Sequence, residues 1–141
     1  MKVSEIMSRH PITVTPGQTL GEAAELMQRI DAGFLPVGED DRLVGMLTDR
    51  DIAIRGIGAG KGPDARVSEA MTKDVRYCFE NDEIEAVARN MGDQQVRRVP
   101  VVDEDKRLVG VLSVGDIAVR RDALTAGATL EDIAQPAGSH D

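Results

Sequence analysis

The stretch Arg42-Leu43-Val44-Gly45-Met46-Leu47-Thr48-Asp49-Arg50-Asp51-Ile52-Ala53 decides the reading of this chain, because it comes twice. It returns as Arg107-Leu108-Val109-Gly110-Val111-Leu112-Ser113-Val114-Gly115-Asp116-Ile117-Ala118, 65 residues on (Arg42 to Arg107). In each copy a short apolar run ends at a hydroxyl residue, and an aspartate follows three residues later. A strand feeding a capped helix has that pattern. Working outward, Leu35-Pro36-Val37 recurs as Val99-Pro100-Val101, 64 residues on. Val3-Ser4-Glu5-Ile6-Met7 recurs as Val67-Ser68-Glu69-Ala70-Met71 at the same spacing. The step from 64 to 65 puts one extra residue in the turn after Val99-Pro100-Val101. Similarity that keeps its order over so much of the chain marks a duplicated structural unit.

Each copy reads locally as strand, helix, strand, strand, helix. Ile12 and Val14 alternate with Thr13 and Thr15 as a short strand, and Pro16-Gly17 turns the chain. Thr19 with Glu22 makes a capping box, and Leu20, Ala23, Ala24, Met27 and Ile30 follow at helical spacing. Residues 34–37 and 43–47 are two strands joined by the acidic turn Glu39-Asp40-Asp41. A second helix starts near Asp49 and ends in Gly56-Ile57-Gly58-Ala59-Gly60. In the second copy Cys78 and Phe79 mark the first strand. Asp82 or Glu83 caps a helix carrying Ile84, Val87, Ala88 and Met91. Residues 99–102 and 108–112 form the second hairpin, and the last helix starts at Val114. A unit of about 60 residues is marginal alone, so two such units packed sheet to sheet, related by a pseudo-twofold axis, are expected. The division expected along the chain is 1–62, 63–126 and a C-terminal tail 127–141.

Composition agrees and excludes much else. At 141 residues with 41% apolar and 30% charged residues, the chain has material for one aliphatic core system; two Phe, one Tyr and no Trp leave no stacking platform for single-stranded nucleic acid. A net charge of -8 argues against general affinity for nucleic acid or anionic membranes. No apolar run is long enough to span a bilayer, no signal-peptide pattern opens the chain, and a cytoplasmic location is expected. Cys78, the one cysteine, rules out an internal disulfide and reads as a buried structural thiol.

The Leu-Val-Gly strand, the Gly-x-x-Thr/Ser-x-x-Asp segment and the order of elements resemble the CBS domain family, and the duplication resembles a tandem CBS pair, or Bateman module, of the stand-alone type. The resemblance covers roughly residues 1–122. It implies an α+β fold and a regulatory role. No obligatory cofactor is implied; an adenosine-containing ligand is, with AMP, ADP or ATP foremost and NAD or S-adenosylmethionine as further options. The ligand is expected in the cleft between the repeats. A homodimer and an effector protein are the implied partners, with residues 3–7 and 67–71 as docking or linker helices.

Thr48 is placed to cap the following helix, and its hydroxyl can also meet a phosphate. Asp51 is a carboxylate able to accept both ribose hydroxyls, the role that the resemblance assigns to this position. Arg50 offers charge to a phosphate. Ser113 and Asp116 hold the matching places, with Gly115 in place of the arginine. The spacing alone is also that of a plain helix cap, and the two roles can coexist. Arg97-Arg98 precedes Val99-Pro100-Val101, where relatives place basic residues against phosphates, whereas the first copy has Gly33-Phe34. One well-furnished site is therefore expected, not two equal ones; a solvated surface pair is the other reading of the arginines. Adenine contacts implied by the resemblance fall on Ile12, Thr13 and Val37, and on Tyr77, Cys78 and Val101, all of which also read as ordinary strand or core residues.

Other motifs fail. Gly56-Ile57-Gly58-Ala59-Gly60-Lys61-Gly62 lacks the Lys-Ser/Thr step of a phosphate loop and follows a helix. His10 and His140 have no companion ligands for zinc, and the acidic turns are not calcium loops. No nucleophile, base and orienting acid can be assembled, so no enzyme is expected. The alternative to a sensor is a structural interaction module that binds no nucleotide tightly.

Overall fold

The computed structural model describes residues 1–94 and 97–125; the tail expected at 127–141 lies outside them. The fold mixes helices and sheets, as an α+β reading requires. The chain forms two compact units of interleaved segments. Among the described residues, one gathers Met1–His10, Arg76–Asp105 and the stretch from Val109 to Thr125; the other gathers Pro11–Val75 and Lys106–Leu108. The compact units thus cut the chain differently from the order 1–62 and 63–126. The ten N-terminal residues pack with the second repeat, and the segment before the second repeat packs with the first.

In the unit built on the first repeat, Thr19 caps α1 (Leu20–Ile30). Its Oγ1 accepts from the Glu22 N–H at 3.1 Å, and Glu22 Oε1 accepts from the Thr19 N–H at 2.9 Å, the expected capping box. Leu20, Ala23 and Met27 on the inner face of α1 join Val14, Leu35, Val37, Leu47, Val67 and Ala70 in one core. Strands β2 (Phe34–Glu39) and β3 (Arg42–Thr48) pair antiparallel. Asp40 and Asp41 turn the hairpin with φ of 53° and 66°, the left-handed pair of a type I′ turn. The strand expected around Ile12 and Val14 is reduced to one parallel bridge, Val14 to Val37. The Val14 N–H donates to the Pro36 carbonyl and the Val14 carbonyl accepts from the Gly38 N–H, while the adjoining Thr15 N–H turns away to the Gln18 side chain. After β3 come α2 (Asp49–Asp51), a π-helical turn (Ile52–Gly56) and a 3-10 turn (Ile57–Ala59), so the second helix of this repeat is not a regular α-helix.

In the unit built on the second repeat, β1 (Ser8–Arg9), β4 (Cys78–Phe79), β5 (Arg98–Val102) and β6 (Leu108–Ser113) form one sheet in the order β1-β6-β5-β4. β1 runs antiparallel to β6 and β4 parallel to β5. α4 (Ile84–Gln94) and α5 (Val114–Thr125) complete it. Val3, Met7, Cys78, Ile84, Val87, Met91, Val99, Val101, Leu112 and Ile117 make its core.

The repeated Val-Ser-Glu-x-Met motif has the same task in both units. Val3 and Val67 are fully buried. The Val3 N–H donates to Asp82 and the Ser4 N–H to Glu80, and the Val67 and Ser68 N–H groups donate to Gln18 and Pro16, the positions 64 residues earlier. Glu5 and Glu69 fold back on the N–H groups of Lys2 and Arg66, at 2.7 Å each. The first copy forms a 3-10 turn (Val3–Glu5) and the second a short helix, α3 (Val67–Ala70). Both segments are therefore core elements, where docking or linker helices were expected.

Candidate functional site

The sites expected from the repeat lie at the two places where a strand hands over to a helix. At the end of β3, the Thr48 N–H donates to Asp51 Oδ2 at 3.0 Å and the Asp51 N–H donates to Thr48 Oγ1 at 3.1 Å. At the end of β6, the Ser113 N–H donates to Asp116 Oδ2 at 3.1 Å and the Asp116 N–H donates to Ser113 Oγ at 3.0 Å. Both are reciprocal capping boxes, and both use Oδ2 of the aspartate. All four residues are half-buried, so each carboxylate sits at the surface with one oxygen oriented by the cap.

A second contact defines each corner. The Asp49 N–H donates to the Gly33 carbonyl at 2.9 Å, and the Val114 N–H donates to the Arg97 carbonyl at 2.9 Å. The residue just before β2 or β5 is thereby fixed to the residue just after β3 or β6. In the first repeat this pair is Gly33 with Asp49; in the second it is Arg97 with Val114. Arg97 and Arg98 are exposed, as is Arg50. The structure brings Arg97 to the Ser113–Asp116 corner through that main-chain bond. Sequence reading passed over Asp49, although the exchange of a Gly/Asp pair for an Arg/Val pair at matching positions was there to be seen.

The residues expected to meet adenine divide by burial. Val37 and Val101 are completely buried and Cys78 is 6% exposed; their side chains belong to the two cores. Ile12, Thr13 and Tyr77 are exposed, with Tyr77 edge-on to Phe79 at a centroid separation of 5.6 Å. Burial, with a smaller contribution from nearby Asp82, pushes the Cys78 thiol up to about 12. Such a thiol stays protonated near neutrality and is a poor nucleophile. Gly45 and Gly110 each have a close neighbour. A Cβ on Gly45 would lie 2.8 Å from Met71 Sδ and 3.0 Å from the Thr72 carbonyl; on Gly110, 2.6 Å from Met7 Sδ and 2.7 Å from the Ser8 carbonyl. Among the described residues no cluster of three His, Cys, Asp or Glu side chains could hold a metal ion, and no helix is long and apolar enough to cross a membrane.

Comparison with known proteins places this arrangement. The CBS domain family profile matches residues 3–56 and 67–122. The CBS domain-containing protein YhcV of Bacillus subtilis is 39% identical over 132 residues, covering 93% of this chain and 94% of that protein. The CBS domain pair of protein MJ0100, solved in complex with 5-methylthioadenosine and S-adenosyl-L-methionine, superposes with a TM-score of 0.75 at 30% identity, covering 92% of this chain and 98% of that one. The cytosolic domain of the Mg2+ channel MgtE, solved in complex with ATP, superposes with a TM-score of 0.74 at 30% identity, covering 84% of this chain and 48% of that one. The repeat, the two matched segments and the two like corners have one common account: the chain belongs to the CBS domain family and carries two CBS domains in tandem.

Proposed function

We propose that this chain is a regulatory module that binds adenosine-containing ligands, AMP, ADP or ATP foremost, and passes the resulting conformational bias to a partner protein. Asp51 and Asp116 hold the ribose hydroxyls, Thr48 and Ser113 orient those carboxylates, and Arg97, Arg98 and Arg50 offer charge to phosphates. Ile12, Thr13 and Tyr77 contact adenine through their side chains, and Val37, Cys78 and Val101 through the main chain. The observation that carries the reading is the repetition of one half-buried, pre-oriented carboxylate at the same strand-to-helix step in both units. The adenosine ligands of the MJ0100 and MgtE relatives support it. The protein acts without catalysis, in the cytoplasm, as a homodimer that engages an effector.

A second reading has its own observation. Both aspartates are fully accounted for as helix caps, as an interaction module without a nucleotide would need. Calorimetric titration of AMP and ATP into nucleotide-free protein separates the two. Saturable binding that Asp51→Ala or Asp116→Ala abolishes establishes the sensor. No binding by AMP, ATP or the other adenosine ligands establishes the interaction module.

A further inference from the structure

We infer that Tyr77 gives the site of the second repeat a stacking face for adenine, that Phe79 is the residue positioning this face, and that the first repeat has no counterpart. The inference rests on the adenosine reading above, in which Asp116 holds the ribose and Tyr77, Cys78 and Val101 meet the base.

The fold brings those three base contacts together. Cys78 pairs with Val101 where β4 runs parallel to β5, and Tyr77 directly precedes β4. Side chains alternate along an extended chain, so Cys78 enters the core while Tyr77 and Phe79 share the other face. Their rings meet edge to face at 80°, with centroids 5.6 Å apart. An edge-on contact occupies at most one face of either ring, and Tyr77 and Phe79 remain 39% and 37% exposed. The chain has three aromatic residues, one Tyr and two Phe, and leaves two of them in the open here. Two rings cannot line a track for a nucleic-acid strand, but one open ring is enough for one base.

Phe79 is the anchored member of the pair. Its N–H donates to Asp82 Oδ2 at 2.9 Å, its carbonyl accepts from the Asp82 N–H at 3.0 Å, and it pairs with Val102 in the sheet. Tyr77 lies outside the strand, with its ring against that of Phe79. The ribose-binding aspartate belongs to the same end of the sheet. β4 and β5 start side by side, and the bond from the Val114 N–H to the Arg97 carbonyl sets the end of β6 beside the start of β5. Two strand spacings, about 10 Å, separate β4 from β6 across β5, a width that a nucleoside spans. In the first repeat Val14 bridges Val37 in the same parallel sense, but the positions matching Tyr77 and Phe79 are Thr13 and Thr15. That repeat has the main-chain frame without the rings.

Titration calorimetry of AMP into the full chain carrying Asp51→Ala, which leaves the second-repeat site, tests this. Adding Tyr77→Ala should weaken AMP about fivefold or more, whereas Tyr77→Phe, which keeps the ring, should bind as before. Phe79→Leu should weaken AMP about twofold or more, and Phe79→Tyr should restore it. Tyr77 is the one tyrosine in a chain without tryptophan, so the emission of the wild-type protein reports this ring without any substitution. AMP should change that emission saturably, and Asp116→Ala should abolish the change. Full affinity in Tyr77→Ala, a Tyr77→Phe variant as weak as Tyr77→Ala, or emission blind to bound AMP overturns the stacking face and leaves the ribose reading intact. Full affinity in Phe79→Leu, or no rescue by Phe79→Tyr, overturns the positioning role. AMP binding that neither Asp51→Ala nor Asp116→Ala reduces, or no binding at all, overturns the adenosine reading and this inference with it.

Discussion

At the scale of single residues, glycines and one cysteine set the tightest constraints. Gly45 and Gly110 sit where the crossing segments bring a methionine sulfur and a carbonyl oxygen against β3 and β6, closer than a methyl group allows. Gly110→Ala should cost about 1–3 kcal/mol, as overpacking does in a filled core, and more than Gly45→Ala, whose nearest contacts are looser. Urea denaturation of the two variants checks the order. Cys78 should resist thiol reagents in the folded protein and react once it unfolds. Its raised folded-state pKa gives a signed expectation. The unfolded thiol ionises near its model value of 9.0 and the folded one at about 12, so the unfolded state binds fewer protons between them. Cys78 should therefore lower stability as pH rises from 9.0 towards 12, and Cys78→Ser should flatten that part of the stability curve.

At the scale of elements, local chemistry places ends and turns. Thr19→Ala removes the acceptor for the Glu22 N–H and should cost about 1 kcal/mol, read as a lower melting midpoint. The β2–β3 turn holds two aspartates at positive φ. Asp41→Gly should stabilise the hairpin, since glycine adopts that conformation without steric cost. These elements were legible because each is specified by neighbours in sequence: a cap three residues before its partner, a turn between two apolar runs, a helix with one apolar face. The strand expected at Ile12 and Val14 was not, because alternation over so few residues does not say how many main-chain groups find a partner. Val14 pairs with β2 and Thr15 pairs with Gln18. The regular helix expected from near Asp49 also differs, since the π-helical turn brings Gly56 against Leu20 of α1, a contact 36 residues away in sequence (Leu20 to Gly56).

At the scale of the whole molecule, the interleaving of segments governs stability. Val3 and Met7 lie in the core of the unit built on the second repeat, and Val67 and Ala70 in the core of the other. Deleting residues 1–10 should therefore destabilise the second repeat, the one distant in sequence. Hydrogen exchange should show protection lost in α4 and β5 first, while α1 and β2 keep theirs. A fragment starting at residue 63 should fold poorly for the same reason. The sequence by itself determined the duplication, the order of elements in each copy and the aspartates at the strand-to-helix steps, because repetition and hydrophobic period are properties of the chain read in line. The tertiary structure alone decided which copy of Val-Ser-Glu-x-Met completes which unit, and that Asp49 rests against Gly33. Those pairings join residues far apart in sequence and follow from which surfaces fit. A linear pattern carries no record of that fit.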